Sequence, residues 1–321
     1  MSDPLQTQPV PGQPVPSQPA PSPSPQPEDR GARADVIHDI GYRHYDGPRL
    51  GRSYATRSLF VLSLRGSFGL GRSVKSKILP MALLAVMCVP ALIIVAVVVY
   101  LKRSTFPDTV SYSHYLAVVQ FVIAVFVAAQ APVALSRDLR FQTLPLYFSR
   151  PLTSRDYVQA KFGAMFSAVF LLTGIPMLIL WIGSLLASMP FVFNLEHFAY
   201  GLVASALYAL LYAGISMVIA ATTPRRGFGV AAIIALFLIS EAVSGIVWEV
   251  LTHNGHGASA GWALVISPDS LIQTSVNWLF DLTDRGGVTV PSNLGGVVFL
   301  LEIVLIAAAS IGLMVRRYRK I

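Results

Sequence analysis

Six apolar runs dominate the chain, at 78–101, 115–135, 162–189, 198–221, 230–250 and 294–315. Each reaches the roughly 20 residues that cross a hydrocarbon core at about 1.5 Å of helical rise per residue. The pattern predicts an all-α integral membrane protein whose transmembrane domain occupies 78–321. Pro90 in the first run, and Gly174 with Pro176 in the long third run, predict a kink or tilt. Residues 36–77 are polar and basic. From 54 to 70 they interleave Leu59, Phe60, Leu62, Leu64, Phe68 and Leu70 with Arg57 and Arg65, as an amphipathic segment lying at an interface does. Glycines after Arg65 limit the clean helix to its first half.

Between the fifth and sixth runs, 252–293 is too long for a turn. Ser267-Pro268-Asp269 reads as an N-cap, a proline at the first helical position and an acid in the first turn. Ile272, Val276, Leu279 and Phe280 follow at helical spacing, so a short amphipathic helix is expected in this insertion.

Composition supports lipid as the solvent: 54% of residues are hydrophobic and 12% charged, too few charges to solvate a globular surface. Residues 1–35 stand apart. The first 27 hold ten of the 22 prolines and no Lys, Arg or aromatic residue, the signature of a disordered tail. Two PxxP matches within it, Pro11 to Pro14 and Pro16 to Pro19, read more simply as part of that tail. No basic start followed by an apolar stretch marks a cleavable signal, so the first span is expected to direct insertion. The net charge of +8 does not imply nucleic acid, because the basic residues flank the apolar runs and match no nucleic-acid-binding motif.

Their distribution sets the expected topology. Lys and Arg number ten before the first span, five between the second and third, two between the fourth and fifth, and four after the sixth. The three intervening segments hold two, none and one. This alternation predicts cytoplasmic N and C termini, a cytoplasmic loop at 136–161 and an outer insertion at 252–293.

The candidate chemistry is sparse. Gly66-Ser67-Phe68-Gly69-Leu70-Gly71-Arg72-Ser73 has phosphate-loop spacing with Arg in place of Lys, but no buried strand precedes it and an apolar span follows, so the match is rejected. His253 and His256 lie in a glycine-rich turn and lack further ligands, so no metal site is expected. Cys88, the one cysteine, reads as a small core hydrophobe. No catalytic constellation is found. Glu241 and Glu302 are the acids inside predicted spans, where a charge costs on the order of 3 kcal/mol. Each lies roughly 12–14 Å from the outer end of its helix. The simpler reading is an interhelical hydrogen bond that fixes packing; the alternative is a proton site or a polar substrate path.

The loop 136–161 carries the strongest signal. Arg137, Asp138, Arg140, Leu144, Tyr147, Arg150, Pro151, Leu152, Arg155 and Asp156 mix both charges with apolar side chains, as a docking surface does. An interfacial loop with its aromatics among headgroups is the alternative. Thr153 and Asp156 have the spacing of a capping box for a helix that leads through Lys161 into the third span.

With its Leu-Pro-Leu-Tyr-x-Ser-Arg-Pro-Leu-Thr-x-x-Asp-Tyr-Val-x-x-Lys pattern, this loop resembles that of the ABC-2 type transporter permease family. The amphipathic segment, the six spans and the outer insertion are similar too, over roughly residues 50–321. The resemblance implies a permease subunit of an ATP-driven exporter in the cell membrane, working as a homodimer or heterodimer in the lipid bilayer. It also implies that the loop is the coupling element, seated in a separate ATPase subunit that holds ATP and Mg, with no cofactor on this chain. A proton-coupled carrier using Glu241 and Glu302, or a membrane scaffold, are the alternatives.

Overall fold

A computed structural model describes Gly47 and residues 50–102, 112–149, 152–282 and 290–319. The proline-rich tail lies outside the described residues, as do Arg150 and Pro151 of the loop. Residues 49–321 form one compact unit, and all regular structure described in it is helical.

The first helix, α1 (Arg52–Ser67), runs further than the glycines predicted. It ends where the chain turns back through Gly69 and Gly71, both at positive φ. At Gly69 a side chain is excluded as well, because a Cβ would sit 2.4 Å from the Ser76 carbonyl oxygen. Helix α1 lies against α6, burying Leu59 and setting Phe60 over Gly163.

Among the described residues, six helices are long and apolar enough to cross a membrane. They are α2 (Val74–Tyr100), α3 (Tyr112–Ala134), α6 (Ser154–Leu186), α7 (Phe191–Thr222), α8 (Arg226–His253) and α11 (Asn293–Tyr318). Most extend beyond the apolar runs, because apolarity marks what lipid or packing covers and capping decides where a helix begins. Helix α6 shows this best. The Thr153 side chain accepts from the Asp156 amide and the Asp156 carboxylate accepts from the Thr153 amide, starting the helix eight residues before its apolar run.

Helices α3, α6 and α7 form the buried centre. Small side chains on α7, among them Ala204, Ala209, Ala213 and Gly214, let its neighbours approach closely. A Cβ on Gly214 would lie 3.2 Å from Ser310 Oγ of α11, and one on Gly183 of α6 would lie 2.2 Å from Val95 of α2. The outer faces of α2, α8 and α11 expose Leu, Ile and Val along their lengths, a surface suited to lipid.

Two groups of short elements sit at opposite ends of this bundle. The loop after α3 folds into α4 (Ser136–Arg140) and α5 (Leu144–Phe148) beside the C-termini of α7 and α11. Ser136 Oγ donates to the Ala220 carbonyl at 3.1 Å and Ser154 Oγ to the Tyr318 carbonyl at 3.2 Å. At the other end α9 (Gly257–Ala260), a 3-10 turn (Gly261–Ile266) and α10 (Pro268–Leu279) fold over α7, α8 and α11. The amphipathic helix expected in the insertion is α10, and Ser267 caps it by accepting from the Ser270 amide.

Candidate functional site

At the α4–α5 end the loop is latched to the bundle by its charged residues. Asp138 of α4 meets Lys161 of α6 at 2.9 Å, and both are largely covered. Lys161 Nζ also donates to the Ala134 carbonyl at 3.0 Å, which ties the end of α3 to α6. The second Asp138 contact is Tyr157, whose hydroxyl donates to the same carboxylate at 2.7 Å. The Tyr157 ring stands edge-on to Tyr318 at 5.1 Å and lies 5.7 Å from Tyr147, so α5, α6 and α11 share one aromatic junction.

Asp156 is held in a different way. Arg52 of α1 grips it with two donors, Nε at 2.7 Å and Nη2 at 2.9 Å, and reaches Thr153 Oγ1 at 3.1 Å. A bidentate guanidinium fixes orientation as well as distance. The capping box of α6 is thereby clamped to the first turn of α1.

The candidate loop residues separate into two sets. Leu144, Leu152, Asp138 and Asp156 turn toward the protein, and Tyr147 is half-buried. The apolar exposure expected of a docking loop is therefore not carried by Leu144 and Leu152. Phe141, 62% exposed, and Leu146, 70% exposed, carry it instead. Arg137, Arg140 and Arg155 are exposed as well, with the Arg140 guanidinium over the Phe141 ring. The outward set thus combines three guanidiniums with two large apolar groups on a base that cannot swing freely.

The opposite end holds a second polar cluster. Glu241 of α8 accepts a hydrogen bond from Ser267 Oγ, the capping residue of α10. Two residues on, Asp269 is 3% exposed and accepts from Tyr208 of α7 and from Gln273 one turn along α10. No cation lies within ion-pair distance of Asp269 among the described residues. Burial therefore pushes its carboxyl up to about 8, and the charge of Glu241 acts in the same direction. Ser244 Oγ, donating to the Ala263 carbonyl at 2.9 Å, pins the preceding turn to α8.

Glu302, half-buried on α11, makes no hydrogen bond or ion pair with a described residue. The hydrogen-bond partner of Glu241 is Ser267, the cap of α10, so the two acids at similar depth do not form the pair that their spacing allowed. Asp269 was legible only as an acid in a first turn. The missed signal is Tyr208, a hydroxyl-bearing residue deep in a largely apolar span, which needs a buried acceptor.

No protein-family model matches this chain, and no curated protein matches it.

Proposed function

We propose that the chain is the membrane-spanning permease subunit of an ATP-driven exporter of the ABC-2 type, with both termini cytoplasmic and its ATPase on a separate chain. The observation that carries this reading is the α4–α5 end. Arg137, Arg140, Phe141, Leu146 and Arg155 are exposed on the stretch from α4, which follows α3 directly, through α5 to the first turn of α6. A force applied there reaches the spans through the Asp138–Lys161 and Arg52–Asp156 contacts without first taking up slack. The basic bias of this end supports its cytoplasmic placement. Two permeases would pair, and ATP-driven closure of the bound ATPases would move the coupling surface and open a path between them.

The test is charge reversal at residues that hold nothing together in the monomer. Arg140→Glu with Arg155→Glu should leave insertion and thermal stability nearly unchanged, yet strip a co-purifying ATPase from the chain. If a guanidinium pairs with a buried carboxylate of the partner, the loss is about 2–5 kcal/mol. A wild-type chain that captures no ATPase refutes the exporter reading. Orientation is tested separately, in a Cys88→Ala background, by cysteines at the exposed Asn254 and Ser149. An impermeant thiol reagent outside intact cells should label only the former.

A second reading, a proton-coupled carrier, is favoured by one observation, the Glu241–Ser267 contact beside a buried Asp269. It requires that Asp269→Asn and Glu241→Gln each abolish transport while the protein remains folded.

A further inference from the structure

Beneath the coupling surface, the α4–α5 end contains a cavity of about 260 Å³ between α1, α3, α4 and α6. Liquid water occupies roughly 30 Å³ per molecule, so the space admits a tetrahedral oxyanion and several waters. Arg72 and Arg137 flank it, both exposed, and neither has a carboxylate within ion-pair distance among the described residues. Lys161, 7% exposed, lines it more deeply. The one acid in the lining, Asp138, is already engaged by Lys161 and Tyr157, which leaves two guanidinium charges in excess.

An independent observation points to a ligand. Gln130 of α3 lines the same cavity, is 6% exposed, and its amide makes no hydrogen bond with a described residue. The Ser63 hydroxyl, also in the lining, is buried and without a partner among the described residues. A buried hydroxyl is nearly always satisfied, so the idle Ser63 hydroxyl, beside a Gln130 amide that opens into the same polar space, marks where a further acceptor belongs. The Arg72 guanidinium is held below its ordinary value, first by partial burial and then by the charge of Arg137, with Arg226 adding to it and Asp138 opposing. An anion between these cations would relieve that repulsion.

We infer that this cavity binds a phosphate-bearing anion, with Arg72 and Arg137 pairing with its oxygens at the mouth and Gln130 and Ser63 donating from within. Guanidinium forks match phosphate geometry, while the Lys161 charge stays with Asp138. The phosphate belongs either to a soluble compound or to a lipid headgroup entering from the membrane surface, and the chemistry of recognition is the same. The assignment stands whether or not the exporter reading does.

The full chain in phosphatidylcholine nanodiscs provides the test. Its thermal unfolding midpoint is followed by tryptophan fluorescence during titration with inorganic phosphate, against chloride at matched ionic strength. A second set of discs contains phosphatidic acid and no added phosphate. A rise with inorganic phosphate identifies a soluble source, and a rise confined to phosphatidic acid identifies a headgroup; either supports the site. Arg72→Gln should weaken the response roughly tenfold to a hundredfold in apparent affinity, the worth of one charge-assisted hydrogen bond. Gln130→Leu should weaken it as well, without lowering the midpoint of the unliganded protein, because that amide has no internal bond to lose. If neither probe exceeds chloride, or if either variant responds as the wild type does, the site is refuted.

Discussion

The two ends of the bundle contain the same unit, an aspartate that accepts a hydrogen bond from the hydroxyl of a buried tyrosine. At the α4–α5 end Tyr157 donates to Asp138, and at the α10 end Tyr208 donates to Asp269. The third partner differs. Asp138 has the Lys161 ammonium at 2.9 Å, whereas Asp269 has the amide of Gln273 and a second carboxyl, Glu241, nearby. A cation beside a covered acid makes the pair a fastener between helices; burial beside an amide and another acid raises the carboxyl instead. The first end is therefore built to hold charge in place, and the second to do without it.

The largest test removes the fastener. Lys161→Met leaves Asp138 with Tyr157 as its side-chain hydrogen-bond donor and only the more distant Arg72 charge opposite it, and breaking a covered pair costs up to about 3–5 kcal/mol. Asp138→Asn in the same chain should return most of that loss, since the amide needs no cation. Urea or thermal unfolding of the two single variants and the double variant in detergent checks this. A Lys161→Met protein as stable as the wild type would show that the pair is not a fastener.

Next in size is the packing that seals the α10 end. A Cβ on Gly296 of α11 would come within 2.2 Å of the Trp278 indole of α10, so Gly296→Ala must push the two helices apart. Overpacking of this kind costs about 1–3 kcal/mol. Water admitted to the gap should shift Trp278 emission to the red. Unchanged emission and stability would mean that α10 is not tightly held.

The α10 end should then carry a pH dependence of its own, set by Asp269. An acid raised to about 8 in the folded chain binds its proton more tightly there than in the unfolded chain, where a carboxyl titrates near the ordinary value of about 4. The stability it contributes is complete below about pH 4 and is lost as pH rises to about 8. Asp269→Asn removes this window. The difference in unfolding midpoint between wild type and Asp269→Asn should therefore favour the wild type increasingly as pH falls from 8 toward 4. A difference that is flat over that range would show that Asp269 carries no proton at neutral pH.

The contrast also explains what could be read along the chain. The six spans were legible because lipid contact requires long apolar runs, and the capping residues Thr153 and Ser267 were legible because a cap acts within three residues. What escaped was everything set by long-range contact. Arg52 and Asp156 are 104 positions apart, Tyr208 and Asp269 are 61 apart, and no local pattern announces either pair. Leu144 and Leu152 gave the same difficulty. In a loop without periodicity nothing distinguishes an apolar side chain that faces the bundle from one that faces a partner, and only the fold assigned exposure to Phe141 and Leu146.

The smallest expected effects belong to the two membrane acids, and they sharpen the account of the α10 end by separating hydrogen bonding from titration. Glu241 accepts from Ser267, and a glutamine there keeps a carbonyl oxygen at the same reach while losing the ability to ionise. Glu302 has no such bond to preserve among the described residues. Glu241→Gln should therefore shift the unfolding midpoint by no more than the ~1 kcal/mol worth of one ordinary hydrogen bond, and Glu302→Gln by less. Glu241→Leu, which removes the acceptor of the Ser267 hydroxyl proton, should cost about 1–3 kcal/mol. Glu241→Gln also removes a charge that raises the Asp269 carboxyl, so it should move the pH window of Asp269 slightly downward, which a purely steric role would not do. If Glu241→Gln were instead as damaging as Glu241→Leu, the negative charge itself would be required, and the α10 end would be a charged site like the other.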